Sequence, residues 1–197
     1  MWYSTKTNSV IKAARGMTID GITYPRQIFK DKTMLKSLGI MPYREEKSAD
    51  SRFYWQGEET LAEVNGEMVK SFGAIPRILE DREENNEDGT PMLDENGDRV
   101  ITLGLKSNAI SVVKQQARGI LSKTGWMVER ASEPEGKAIP DDVLAYRRSV
   151  RAKSDDIEAA ITGCADLDAF IALYDTPVDG EGMPTGNAPI TDWPDTI

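Results

Sequence analysis

The chain has no histidine, and among its 197 residues only Cys164 carries a thiol. Without imidazole it cannot build a Ser-His-Asp or Cys-His nucleophile, an imidazole general base, or the usual His-containing zinc site. One cysteine excludes an internal disulfide and a cysteine zinc site, and Cys164, placed before Ala165 and Leu167, reads as a small buried apolar residue. Basic side chains are the minority, 24 against 33 acidic, and the net charge of -9 opposes contact with a phosphate backbone. Nucleic acid is therefore not an expected partner. No apolar run approaches the roughly 18 residues of a membrane span, so no membrane is expected either. Met1-Trp-Tyr-Ser-Thr-Lys6 lacks the apolar stretch of a signal peptide, which points to synthesis in a cytoplasm.

Catalytic signatures are equally scarce. There is no Walker loop, Gly-rich dinucleotide fingerprint or Gly-x-Ser-x-Gly elbow. The carboxylate pairs Glu58-Glu59, Glu83-Glu84, Asp141-Asp142 and Asp155-Asp156 are sequence neighbours, which point to different faces of a helix or strand and form no acid/base dyad. Asp94, Asn96 and Asp98 alternate as in a calcium loop, but Arg99 stands where that loop needs Gly, and Leu105 where it needs its bidentate Glu. The chain reads as a non-enzyme with no cofactor and no metal.

What is present is enough apolar content, 39%, to bury a core. Three turn signals punctuate the first 105 residues. Met17-Thr-Ile-Asp20-Gly21-Ile-Thr-Tyr24, Val64-Asn65-Gly66-Glu-Met-Val69 and Leu93-Asp-Glu-Asn96-Gly97-Asp-Arg-Val100 each centre an Asp-Gly or Asn-Gly between apolar positions, the strongest short hairpin pattern. Antiparallel sheet is the expectation. A short helix is predicted over Lys32 to Leu38, ended by Gly39. Residues 80–98 hold nine acidic side chains and one Arg, the mark of a solvated loop.

From Ser107 the period becomes helical. Ser107 or Asn108 can cap a helix with Ile110, Val113, Ala117, Ile120 and Leu121 on one face, stopping at Thr124-Gly125. Trp126 is predicted to anchor the turn that follows, and a polar loop leads to a second helix opened by Pro140, with Asp141 and Asp142 at its positive end. Val143, Val150 and Ile157 recur every seven residues, with Tyr146 and Ile161 filling the stripe. A third helix starts near Ala165, carrying Leu167, Phe170, Ile171 and Tyr174. The expected architecture is α+β: an antiparallel β-rich domain over 1–105, a helical region over 106–175, and an extended Pro/Gly-rich tail over 176–197 that cannot fold alone and needs another chain to hold it.

Part of this pattern resembles a known kind of protein. Thr124-Gly125-Trp126, the Arg130-x-x-Glu133 loop, the Ile139-Pro140 helix start and the Tyr146-Arg147-x-x-x-Arg151 face are similar to a segment of tailed-bacteriophage tail proteins, including tail-fibre and fibre-assembly proteins, over roughly residues 105 to 162. Tyr24-Pro25-Arg26-Gln-Ile28-Phe29, followed by Leu35 and Leu38-Gly39-Ile40, resembles a string near the start of small phage structural proteins. These likenesses imply a virion component of the tail, baseplate or fibre apparatus, made in the host cytoplasm. It would act by self-association as a homo-oligomer and by docking to other phage structural proteins. They also admit a tail-fibre assembly chaperone. A carboxylate-dependent hydrolase of host glycan would need two carboxylates across a cleft, of which the sequence gives no sign.

The candidate interface residues follow from chemistry. Tyr54 and Trp55, after Phe53, must face opposite sides of a strand, so one side is available to a neighbouring subunit. Trp2, Tyr3 and Trp193 lie near the ends, where burial within one chain is hard. Arg147, Arg148 and Arg151 make a local basic face that suits an acidic partner, including this chain's own acidic segments.

Overall fold

A computed structural model describes residues 1–11 and 16–197, and its contacts divide the chain into two units, 1–76 and 77–197. The architecture is α+β: a curled, half-barrel β-sheet followed by a helical region.

The first unit holds β1 (Trp2–Ser4), β2 (Ser9–Ile11), β3 (Met17–Ile19), β4 (Ile22–Tyr24), α1 (Lys32–Ser37), β5 (Ile40–Glu45), β6 (Tyr54–Val64) and β7 (Glu67–Pro76). Two of the predicted turns form hairpins as read. Asp20 and Gly21 join β3 to β4, and Asn65 and Gly66 join β6 to β7, each pair with positive φ at both residues as a type I′ turn demands. The helix α1 is capped by Asp31, whose carboxylate accepts from the Met34 amide at 2.9 Å, and is followed by Gly39 at φ +73°.

The main sheet runs β2-β1-β5-β7-β6, and it is mixed, not purely antiparallel as expected. β5 pairs with β7 in parallel, Tyr43 opposite Met68, because the tight Asn65-Gly66 hairpin brings β7 back between β6 and β5. That leaves β6, eleven residues long, as an edge. Its register shifts between Gln56 and Glu59, where Gly57 and Gly73 face each other. A Cβ on Gly57 would lie 3.1 Å from the Gly73 carbonyl carbon, so this close approach requires glycine, and the bulge increases the sheet's coil. One face, through Trp2 and Ile40, packs on Ile28, Leu35 and Phe29 to make this unit's core.

The second unit holds β8 (Arg82–Glu83), β9 (Ile101–Thr102), α2 (Leu105–Ser122), α3 (Gly125–Ser132), α4 (Asp141–Gly163) and α5 (Leu167–Ala172). The boundary thus falls at Pro76, well before residue 105. Backbone bonds from Leu105 to Ile78 and from Lys106 to Leu79 tie the segment before the acidic loop to the start of α2, so residues 77–104 belong with the helices. α2 also begins earlier than predicted. Its N-cap is Gly104, and the capping carboxylate comes from upstream: Asp81 accepts from the Gly104 amide at 2.8 Å and from the Ser107 hydroxyl at 2.9 Å.

On α4 the predicted stripe is buried throughout, with Val150 and Ile161 fully enclosed, and it packs along α2 through Val113 and Ala117. The loop predicted after Gly125 instead contains α3, of which Gly125 is the first residue. α5 is short, but it buries Phe170.

The tail does not run extended as its composition implied. Residues 177–185 turn back on themselves through Asp179 to Met183 (2.9 Å) and Thr185 to Pro177 (2.8 Å). A 3-10 turn at Pro189–Thr191 then buries Ile190, whose amide donates to Leu173 at 3.1 Å. Apolar anchors spaced between the Pro and Gly residues do the work that regular structure cannot.

Gly104 is the tightest point of the helical unit's entry. Its φ of -75° is ordinary, but a Cβ there would sit 2.4 Å from the Leu79 carbonyl oxygen, with no flexible side chain to give way. Gly104→Ala should therefore cost about 1–3 kcal/mol, as overpacking does, read as a lower urea midpoint at unchanged slope. An unaltered midpoint would show that residues 78–80 do not cross α2 there.

Candidate interaction surfaces

Opposite the apolar core, the other face of the half-barrel sheet is polar. Tyr3 stacks on Tyr43 with ring centroids 6.2 Å apart, Lys70 pairs with Glu59 at 2.7 Å, and these line a hollow of about 290 Å³. The Tyr43 hydroxyl donates to Glu45 at 2.7 Å. Burial disfavours the phenolate, and the Glu45 carboxylate disfavours it further, so the Tyr43 phenol is pushed up to about 12. The folded state then holds a proton that the unfolded chain releases. Stability from this group is fully present below the ordinary tyrosine pKa near ~10 and is lost as pH rises towards about 12. Ultraviolet titration should show one phenol ionising well above the others, and Tyr43→Phe should remove that step. Survival of the late step in the variant would assign it elsewhere.

In the helical unit the notable surface is a groove of about 450 Å³ where α2, α3 and α4 meet, lined by Lys114, Ala117, Arg118, Leu121, Gly125 and Arg147 among others. Lys114 is held by Glu158 at 3.3 Å. Arg147 reaches across from α4 to donate to the Leu121 carbonyl at 2.7 Å and the Thr124 hydroxyl at 2.6 Å. That arginine therefore closes the C-terminal end of α2, where the carbonyls lack helical partners and the dipole favours a cation. Tyr146, packed in the cluster with Ala117 and Leu121, buries a hydroxyl that has no hydrogen-bond partner among the described residues.

Several predicted interface residues are occupied within the chain. Trp2 packs on the first unit's core with Phe29 5.6 Å away, and Tyr3 is buried. Trp193 lies against Ala117, Tyr146 and Val150, with its indole N-H donating to Gln116 at 3.2 Å, and its neighbour Asp192 pairs with Lys153 at 2.6 Å. Arg151 donates to the Arg147 carbonyl at 3.4 Å, while Arg148 is exposed. Tyr54 is half-buried. Trp55 is 58% exposed on the edge strand, opposite Ile75 at 55%, while Phe53, in the turn that precedes the strand, is buried.

Trp126 is a correction. It is 52% exposed beside the Arg130 guanidinium, 4.8 Å from the ring centroid, and not an anchor between helices. Because α3 begins at Gly125, the indole stands on a helix surface and not in a turn. Cys164 is buried at the end of α4, its thiol donating to Ala160 at 3.3 Å and pushed up by burial.

Two features escaped sequence reading: the Lys114 and Arg118 side of the groove, and the 82–103 segment, which is hydrogen-bonded in itself. There Glu84 donates to Val100, Val100 to Met92 and Met92 to Glu84, each at 2.9–3.0 Å, a closed cycle that joins three short strands into an arm. Its Asp94 turn matches the hairpin reading, with Gly97 at φ +88° and the Asp94 carboxylate accepting from Asn96 and Asp98 amides. Spacing four apart at Lys114 and Arg118 was the available signal for the groove.

Comparison with protein-family models, with curated proteins and with solved structures finds no match. Among the described residues, no helix is long and apolar enough to cross a membrane, and no cluster of three acidic or cysteine side chains could hold a metal ion.

The two tryptophans should separate in stability measurements. Trp126→Ala is expected to cost under about 1 kcal/mol, since little area is lost, whereas Trp193→Ala should cost at least about 1.5 kcal/mol for a large apolar side chain taken from a core. Equal losses would mean that the tail does not pack in solution.

Proposed function

We propose that this chain is a structural component of a tailed-phage virion, in the tail, baseplate or fibre apparatus, that works by self-association and by docking to other particle proteins. The family part of this reading rests on the resemblance over residues 105 to 162, whose residues make up the α2, α3 and α4 layer. The observation that carries the assembly part is the exposed apolar surface on both units. Trp55 and Ile75, with Leu61 and Val64, stand on or beside an unpaired edge strand, and Met92, Leu93, Ile101 and Leu103 stand out from an arm. Monomeric proteins rarely leave such groups clustered, and edge strands invite pairing.

The tail-fibre assembly chaperone remains the second reading, favoured by one observation. The C-terminal tail folds on its own chain through Ile190 and Trp193, so its order requires no permanent neighbour. Mass spectrometry of intact particles, before and after tail shearing, separates the two. A component should be present in stoichiometric amount and leave with the sheared tails. Absence from purified particles, with presence in infected-cell extracts, would turn the assignment to the chaperone. In particles, Trp55→Ala should lower incorporation more than Arg148→Ala does, because buried aromatic area outweighs a screened surface charge.

A further inference from the structure

Charge divides unevenly along the chain. Residues 1–76 carry eleven Lys and Arg against nine Asp and Glu, whereas residues 77–197 carry thirteen against twenty-four. Within this acidic unit the 82–103 arm concentrates seven carboxylates against two arginines, and both arginines pair inside the arm, Arg82 with Glu84 and Arg99 with Glu83. Glu87, Asp88, Asp94, Glu95 and Asp98 therefore face solvent without a basic partner among the described residues. The same arm exposes Met92, Leu93, Ile101 and Leu103, each more than two-fifths accessible. A small arm of short strands that shows both its charge and its apolar side chains is marginal alone and gains by being covered.

The α2-α3-α4 groove has the complementary make-up. Its rim bears Arg118, with Lys114, which shares Glu158, and Arg147, which ends α2, beside it; its lining includes Leu121 and the buried Ala117. Arg118 is exposed and has no ion-pair partner among the described residues. The arm leaves the fold at Gly104, the N-terminal end of α2, while the groove begins at Lys114, about 15 Å further along the helix at the usual rise per residue. Among the described residues, no hydrogen bond or ion pair joins arm and groove in one copy. A span of that length separates the arm's root from the groove on the same helix, and the charge of one surface is opposite to that of the other.

We infer that the arm of one copy docks in the groove of the next, its turn carboxylates against Lys114 and Arg118 and its apolar side chains against Ala117 and Leu121. This rests on the self-association proposed above and names the surfaces that perform it. The contact is heterologous, since arm and groove are different patches, so repeated docking builds a ring when the rotation closes and a filament when it does not. Apolar cover supplies the attraction, and the charges set the register.

A charge-swap pair tests it. One variant carries Glu87→Lys with Glu95→Lys on the arm, at positions with no partner inside the arm. The other carries Lys114→Glu with Arg118→Glu in the groove. Sedimentation velocity over a dilution series should show assembly of the natural sequence, and at least a tenfold weaker association for each variant alone. The equimolar mixture should recover assembly, because a basic arm then meets an acidic groove while an acidic arm meets a basic one. That recovery also shows that both variants are folded. If each variant alone assembles like the natural sequence, the arm-groove assignment is wrong while self-association stands. If the mixture stays dissociated, the assignment is likewise overturned. A natural chain that is monomeric at every concentration removes self-association itself.

Discussion

The apolar stripe of α4 is the constraint on which residues 77–197 depend. Val143, Tyr146, Val150, Ile157 and Ile161 run along most of a 23-residue helix, and each is buried. A stripe of that length needs a partner of similar length, which α2 supplies with Ala109, Val113 and Ala117. Small and β-branched residues on α2 leave room for Tyr146, which packs beside Ala117. One helix does not cover the whole stripe. Trp193 closes the side near Val150 and Tyr146, which makes the tail a structural part of the helical core instead of a free appendage.

A buried cation fixes the other end. Lys106 is 9% exposed, and its ammonium donates to the Thr162 carbonyl at 3.1 Å while pairing with Glu80. An ammonium taken out of water is tolerable only with such partners, and the C-terminal turn of α4 adds the negative end of its dipole. One side chain thus joins the crossing segment at 78–80, the first turn of α2 and the last turn of α4. Asp81 accepts from the Gly104 amide and the Ser107 hydroxyl at the start of α2, so the arm starts from a base held on two sides. A projecting arm on a fixed root loses less freedom when it docks than a loose loop would.

Local signals were legible in the sequence where one residue type solves one backbone problem. Asp20-Gly21 and Asn65-Gly66 named their hairpins because few residues accept two consecutive positive φ values, and the seven-residue spacing on α4 named its buried face. Pairing between distant segments was not legible. Nothing in β5 distinguishes a parallel from an antiparallel neighbour, and the domain boundary moved because a cap for α2 came from Asp81, some twenty residues upstream of where cap residues are sought. Trp126 misled because the stop of α2 near Thr124 was followed not by a loop but by a new helix, α3, which starts at Gly125 and carries the indole on its surface. The tail misled for a related reason. Its Pro and Gly content does preclude regular structure, but Ile190 and Trp193 need only a hydrophobic surface of the same chain to land on. Of the interface candidates, those most apolar and nearest the ends proved useful to the chain itself.

That last point narrows where a partner can bind. Because the tail covers α2 and α4 on the Val150 side, Trp193 and Lys153 are engaged in the fold, and Arg147 is committed to the carbonyls that end α2. The basic face read from Arg147, Arg148 and Arg151 is therefore less a docking surface than a helix-end clamp with exposed neighbours. What stays open on the helical unit is the side where Arg118 stands beside Leu121 and Gly125, with Trp126 exposed at the start of α3. A chain of net charge -9 repels its own copies at long range, so contact between copies requires a local patch of the opposite sign with apolar surface beneath it. The groove has both properties, and the arm has the matching pair. Trp193 packs on the same cluster, Ala117 with Leu121, that lines the groove, so closure of the tail leaves the Arg118 rim of that cluster as the part open to the neighbour proposed above.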